Sequence, residues 1–114
     1  MPQLGLAAAL LASLLAVPGA GAQELTGTLK KIRDTKAVTL GYRESSIPFS
    51  YVNRAGEPIG YSIDLCSAVV EETSNELEGV EIAVKYKPVT AATRIAAVRS
   101  GEVDIECGST TANF

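Results

Sequence analysis

The sequence predicts an α/β fold: a parallel sheet of strand order 2-1-3 with flanking helices. Three observations carry that expectation. Short apolar or alternating runs, "AVTLGYR", "EIAVKYK" and "VDIEC", have the length and pattern of strands. Between them lie segments whose apolar residues recur every three or four positions, as on one face of a helix. Glycine and proline punctuate the joins. Strands that alternate with helices pair in parallel through right-handed crossovers. Placing the second strand on one side of the first and the third on the other gives the order 2-1-3. That order creates a switch point, and ligands of such sheets bind beyond the carboxyl ends of the strands there.

Each element has its own signal. Leu25, Leu29 and Ile32 recur at helical spacing, with Lys30, Lys31 and Arg33 elsewhere on the wheel. "AVTLGYR" reads as a buried strand with Gly41 as its breaker. In "ESSIPFSYVNRAGEPIGY", Phe49 to Val52 reads as a short extended piece and Asn53 to Gly56 as a turn. Ser62 is a good helix cap, and Asp64 falls in the first turn, where the helix dipole favours an anion. Ile63, Cys66, Val70, Thr73 and Leu77 form that helix's inward stripe. Thr90 is expected to cap a further helix whose Ala91, Ile95 and Val98 face inward and which Gly101 closes.

The N-terminus reads differently. Leu4 to Val17 is an almost unbroken Leu/Ala/Val run, followed by Pro18, Gly19 and an Ala20-Gly21-Ala22 site. This is the layout of a cleaved secretory signal over residues 1–22, although no Lys or Arg precedes the apolar run. The plainer alternatives are a membrane anchor or a buried helix, and the run is short for a comfortable span. Export would leave residues 23–114 as one small unit.

Composition narrows the function classes. Thirteen acidic and ten basic residues give a net charge of −3, so no basic face suits nucleic acid. The chain has no histidine and two distant cysteines, so a zinc ligand set and a histidine-based triad are both excluded. No glycine-rich phosphate loop is present, and no cofactor is expected. For Cys66 and Cys107 two readings stand. An exported chain allows a bridge contributing about 4 kcal/mol in the chain-entropy model. The plainer reading, preferred because each cysteine falls in an apolar pattern, is two small buried hydrophobes.

The chemistry gathers at the strand ends. Arg43, Ser45 and Ser46 follow the first strand, Thr90 and Arg94 the second, and Ser109, Thr110 and Thr111 the third. Guanidinium groups, hydroxyls and a helix start all favour an anion. Two arginines in one crevice repel each other, so a ligand with two carboxylates fits better than a neutral solute. A charge-assisted hydrogen bond contributes about 1.5–3 kcal/mol, and an unpaired carboxylate in a closed site costs about 3–5 kcal/mol. Each residue also has a plain reading. Arg43 can pair with Glu44 or Asp104, Arg94 can be an exposed helix residue, and Ser109 and Thr111 can belong to a solvated loop. Their joint placement on one edge favours a site. Asp104 and Glu106, spaced i, i+2, are read as solvent-facing strand residues rather than an acid/base pair.

"GYSIDLCSAVVEE" resembles the signature of the extracellular solute-binding proteins for polar amino acids, the substrate-binding components of ABC importers. "GYRESSIPFSY", "GYSIDL", "VTAATRI" and "SGEVDIECGSTT", in that order, resemble the glutamate/aspartate-binding branch, from about Leu29 to Asn113. The resemblance implies a two-lobed type II periplasmic binding fold that closes on its ligand, with this chain forming an incomplete first lobe as an N-terminal fragment, weak or inactive alone. It implies that Arg94 clamps a ligand carboxylate, that Ser109 and Thr111 donate to it, and that Arg43 supports selectivity for the acidic side chain. Ser45, Ser46, Thr90 and Thr110 are secondary candidates. It further implies a periplasmic monomer that serves a permease. Ala91 replaces a serine common in that pattern, which removes one hydroxyl contact, and Ser62 stands where many relatives carry an acid. The same fold also hosts dehydratases of small carboxylates and receptor sensor domains, which remain the alternatives.

Overall fold

A computed structural model describes residues 24–113, so the expected signal over residues 1–22 lies outside the described residues. Helix α1 (Gly27–Thr35) leads into strand β1 (Ala37–Tyr42). A small excursion follows, with strands β2 (Ser45–Ser46), β3 (Ser50–Val52) and β4 (Pro58–Ile59). Helix α2 (Tyr61–Glu76), strand β5 (Ala83–Pro88), helix α3 (Arg94–Arg99) and strand β6 (Ile105–Cys107) complete the order. Among the described residues no helix is long and apolar enough to cross a membrane.

The main sheet runs β5-β1-β6, parallel throughout, which is the expected order 2-1-3. The excursion forms a separate antiparallel sheet, β2-β3-β4. Its turn is built as expected: the Asn53 side chain accepts from the Ala55 and Glu57 N–H groups, and Gly56 N–H donates to the Asn53 carbonyl.

Two clusters fill the two faces of the sheet. Period-two alternation puts Val38 and Leu40 of β1 on one face, where they pack with Ile32 of α1 and Ile63, Cys66 and Val70 of α2, together with Leu77 and Cys107. On the other face Val89, Ala97 and Val103 form a smaller cluster. Gly41 is not a breaker. It lies inside β1, on the second face, where an added Cβ would stand 2.9 Å from Val103 Cγ1. Glycine is needed there for close packing.

The helices depart from expectation in instructive ways. On α1 only Ile32 is buried and Leu29 is exposed. Helix α2 is not capped by the Ser62 side chain. Its cap lies two residues earlier, at Gly60, and its first N–H groups donate to backbone: Tyr61 to Pro48 C=O (3.0 Å) and Ser62 to Phe49 C=O (2.8 Å). Gly60, at φ 126, lies so close to Phe49 that a Cβ would stand 2.5 Å from its carbonyl oxygen. On α3 the buried residue is Ala97, while Ala91, Ile95 and Val98 are exposed. Regular helix begins at Arg94, four residues later than Thr90, and the face it turns to the sheet is that of Ala97, which packs with Val89 and Val103.

Cys66 and Cys107 form a disulfide, which corrects the preference for two unlinked hydrophobes. Both residues do lie in the apolar core; their apolar setting did not argue against a bond. The bridge ties the middle of α2 to the last residue of β6.

Candidate functional site

The β-sheet register sets the site. Tyr42 pairs with Pro88 on one side and with Cys107 on the other, so the three parallel strands end on one row. Whatever follows each strand leaves from the same edge. Arg43, Thr90 and Gly108 therefore emerge side by side, although they are far apart in sequence.

Arg43, Ser45 and Thr90 line one hollow of about 380 Å³, with Glu44, Pro88 and Val89 completing its wall. A hollow of similar size at the opposite end of β5 gathers Lys36 and Glu81 but no arginine or hydroxyl. The loop after β6 meets the excursion, where Ser109 Oγ donates to Ser46 Oγ at 3.4 Å. Arg43 also reaches this loop, since its Cγ lies 2.9 Å from where a Cβ on Gly108 would stand. Arg43, Ser45, Ser46, Thr90 and Ser109 are thus gathered at one edge by direct contact or a shared wall.

Thr90 closes the turn that leads into α3, whose own capping position is Thr93 rather than the expected Thr90. The Thr90 N–H donates to Thr93 Oγ1 at 3.0 Å, and Thr93 N–H donates to Thr90 Oγ1 at 3.2 Å. This reciprocal arrangement is a capping box made from two threonines. Arg94 follows at once, its N–H bonded to the Thr90 carbonyl at 3.0 Å. Among the described residues neither the Arg43 nor the Arg94 guanidinium takes part in an ion pair, and the pairing of Arg43 with Glu44 or Asp104 is not formed. Thr110 is turned to a carboxylate, its Oγ1 donating to Glu106 Oε2 at 2.8 Å. Thr111 is exposed at the end of the loop.

Several residues that shape this edge were not visible as such in the sequence. Ser50 is fully buried and grips the backbone of Arg43: its Oγ accepts from Arg43 N–H at 2.9 Å and donates to Arg43 C=O at 3.4 Å. A serine in a short extended piece carries no mark of such a role. Ser62, expected to cap α2, instead donates to the Gly108 carbonyl at 2.7 Å and steadies the loop. Asp104 is not solvent-facing. Its side chain is 4% exposed, ion-paired with Lys31 at 2.7 Å and accepting from Thr39 N–H at 2.9 Å, so it locks β6 to β1 and α1. Glu106 is half-buried: its Oε1 is covered, while Oε2 accepts from Thr110 at the surface. The i, i+2 spacing showed that the two carboxylates were related, but burial could not be read from it.

Among the described residues no cluster of three or more metal-ligating side chains occurs. The edge presents the Arg43 side chain, hydroxyls and a capped turn, a set suited to holding a small anion, while Arg94 is not among the residues lining the hollow.

Comparison with known proteins identifies the family and the fold. Residues 38–113 match the family described as bacterial extracellular solute-binding proteins, family 3. An L-glutamate/L-aspartate-binding protein of Pseudomonas aeruginosa is 55% identical over 109 residues, covering 95% of this chain and 36% of the relative. The chain therefore spans about a third of that relative's length. Among solved structures, an ancestral cationic amino acid solute-binding protein superposes with TM-score 0.66 at 26% identity, over 76% of this chain and 35% of that one. An ancestral cyclohexadienyl dehydratase superposes equally well, with TM-score 0.66, at 21% identity over 79% of this chain and 34% of its own, a likeness of fold. The sheet β5-β1-β6 with its helices is part of a type II periplasmic binding fold. The chain belongs to family 3 of the bacterial extracellular solute-binding proteins.

Proposed function

We propose that the chain contributes to periplasmic binding of an acidic amino acid, L-glutamate or L-aspartate, for import by an ABC transporter. In this reading residues 1–22 are a cleaved signal, and residues 23–114 supply part of the first lobe of a monomeric binding protein that delivers its ligand to a permease. Arg94 clamps one ligand carboxylate, Ser109 and Thr111 donate to it, and Arg43 selects the acidic side chain. Ser45, Ser46, Thr90 and Thr110 shape the rim. One observation carries the reading: the shared strand ends bring Arg43, Ser45 and Thr90 around one hollow beside the Gly108–Thr111 loop. The glutamate and aspartate bound by the 55% identical Pseudomonas relative give the ligand class its support.

Binding here is non-covalent and no reaction is catalysed. A dehydratase needs an acid or base free to move a proton in the cleft. Asp104 is tied to Lys31 and Thr39, and Glu106 has one oxygen buried and the other bonded to Thr110. Neither stands ready for that task.

A ligand held between two lobes owes its affinity to both, so this chain alone is a weak binder. Calorimetry on protein purified from Gln23 onward tests this. The expected result is binding of L-glutamate much weaker than micromolar; micromolar binding contradicts it. A longer product carrying both lobes is expected to bind L-glutamate tightly and to lose that binding on Arg94→Ala. Retention of tight binding by that variant would remove Arg94 from the site.

A further inference from the structure

We propose that the outer face of α2, with the groove it forms against α1, is a docking surface for a protein partner that presents an apolar ridge flanked by Lys or Arg. This surface is separate from the strand-end site and does not depend on which ligand that site takes.

Helix α2 carries two apolar faces. Ile63, Cys66 and Val70 are buried against the sheet. Tyr61, Leu65 and Val69, spaced four apart, fall on one line along the other side. Each is open, with exposures of 61%, 51% and 49%. A helix that covers only a sheet needs the first face alone, and polar residues usually fill the second. The line continues beyond α2. Val69 also lines a groove of about 310 Å³, with Leu25 and the exposed Leu29 on the α1 side and Leu77, Glu72 and Glu76 on the α2 side. Together they make one apolar strip from Tyr61 to Leu29.

The charge around the strip selects its occupant. Six of the thirteen acidic residues, Asp64, Glu71, Glu72, Glu76, Glu78 and Glu81, lie within residues 61–82, where there is no Lys or Arg. The other seven share the rest of the chain with all ten basic residues. The stretch therefore carries −6 and the remainder +3, within a net charge of −3. Among the described residues none of the six is in an ion pair. The cations of neighbouring α1 are occupied, Lys30 and Arg33 by Asp34 and Lys31 by Asp104. Glu72 accepts only from the Asn75 side chain, at 3.3 Å. Glu72 and Glu76, on the wall of the groove, thus keep their charges for a partner.

Opposite charge across an interface steers and orients association, whereas like charge penalises it. A second copy in two-fold contact would set these acids against themselves. An anionic membrane surface would be repelled. The Leu/Ala/Val run of residues 4–17 has apolar side chains but no Lys or Arg to meet the acids. An apolar segment with cations beside it satisfies both parts of the surface, in the manner of an amphipathic helix laid in a groove.

The test uses a defined probe, a helical peptide with Leu along one face and Lys on both flanks, beside the same peptide with Glu for Lys. Each is titrated into isotopically labelled protein purified from Gln23 onward. The Lys peptide is expected to shift Leu29, Tyr61, Leu65 and Val69 together, and the Glu peptide to bind at least about tenfold more weakly. Two double variants separate the parts. Glu72→Lys with Glu76→Lys is expected to reverse the preference between the peptides. Leu65→Asn with Val69→Asn leaves every charge in place and is expected to weaken the Lys peptide about tenfold. Lys-peptide binding that survives the asparagine pair is charge attraction alone and overturns the proposal, as does equal binding of the two peptides. Burial of the strip by something else overturns it too: two-fold association through α2 in sedimentation, attachment of α2 to phosphatidylcholine vesicles, or protection of Leu65 and Val69 in a chain that keeps residues 1–22 or carries both lobes. Should a double variant fail to fold, the two peptides compared on the wild type, and the place of their shifts, decide the matter.

Discussion

Strands β1 and β5 are hydrogen-bonded neighbours of equal length, yet they occupy different environments. β1 is paired on both edges and covered on both faces, with Val38 and Leu40 almost inaccessible. β5 is paired on one edge, and its apolar residues remain open, with Val84 at 40% and Tyr86 at 43% exposure. Both runs have strand-like patterns in the sequence. The difference teaches that a strand's pattern fixes its pairing, while its contribution to stability depends on what packs over it. The edge that gathers Arg43 and Ser109 is anchored through β1 and β6, the covered side of the sheet, and Thr90 joins its hollow from the open side.

The largest blow to the covered side is loss of the disulfide. Replacing both cysteines, Cys66→Ser with Cys107→Ser, releases a link spanning 41 residues. The chain-entropy model puts the loss at about 4 kcal/mol, to be read from urea unfolding. Because Cys107 immediately precedes the Gly108–Thr111 loop, amide exchange in that loop should rise as well. Leu40→Ala comes next, at about 3 kcal/mol, since it removes a fully buried side chain and leaves a cavity between α1 and α2. Ser50→Ala should cost about 1–2 kcal/mol, because it strips the Arg43 N–H of its buried acceptor. It should also broaden the Arg43 amide signal, which a simple loss of packing elsewhere would not do. On the open side, Val84→Thr should shift the unfolding midpoint by about 0.5 kcal/mol or less. A cost for Val84→Thr equal to that of Leu40→Ala would erase the distinction between the two strands.

Much of this was legible in the sequence, for identifiable reasons. The order 2-1-3 follows from alternation of strand and helix, a rule that tolerates errors at element ends. Arg43, Thr90 and Ser109 were placed on one edge because each follows a strand, and strand ends in a parallel sheet share a row. What was not legible depends on rotation and contact. The face of α3 that packs on the sheet is that of Ala97, not Ile95 and Val98, and a six-residue helix carries too few apolar positions to fix its rotation from the pattern. Ser62 had the composition of a cap, but the backbone of Pro48 and Phe49 already supplied one, which freed its hydroxyl for Gly108. The alternation that suggested outward-facing acids at Asp104 and Glu106 could not foresee Lys31 folding over one of them or the Gly108 notch receiving the other. Two cysteines inside apolar stripes looked like packing; being packed against each other is what let them bond.

The claim on which everything else rests is that the shared strand ends form one anion site. The most direct measurement is a chemical-shift titration of the isotopically labelled protein with L-glutamate, run beside L-arginine as a cationic control. The account predicts shifts at Arg43, Thr90, Arg94 and Ser109 with L-glutamate, little response in the middle of β5, and none of this pattern with L-arginine. Equal responses to both amino acids, or shifts confined to residues away from that edge, would contradict it.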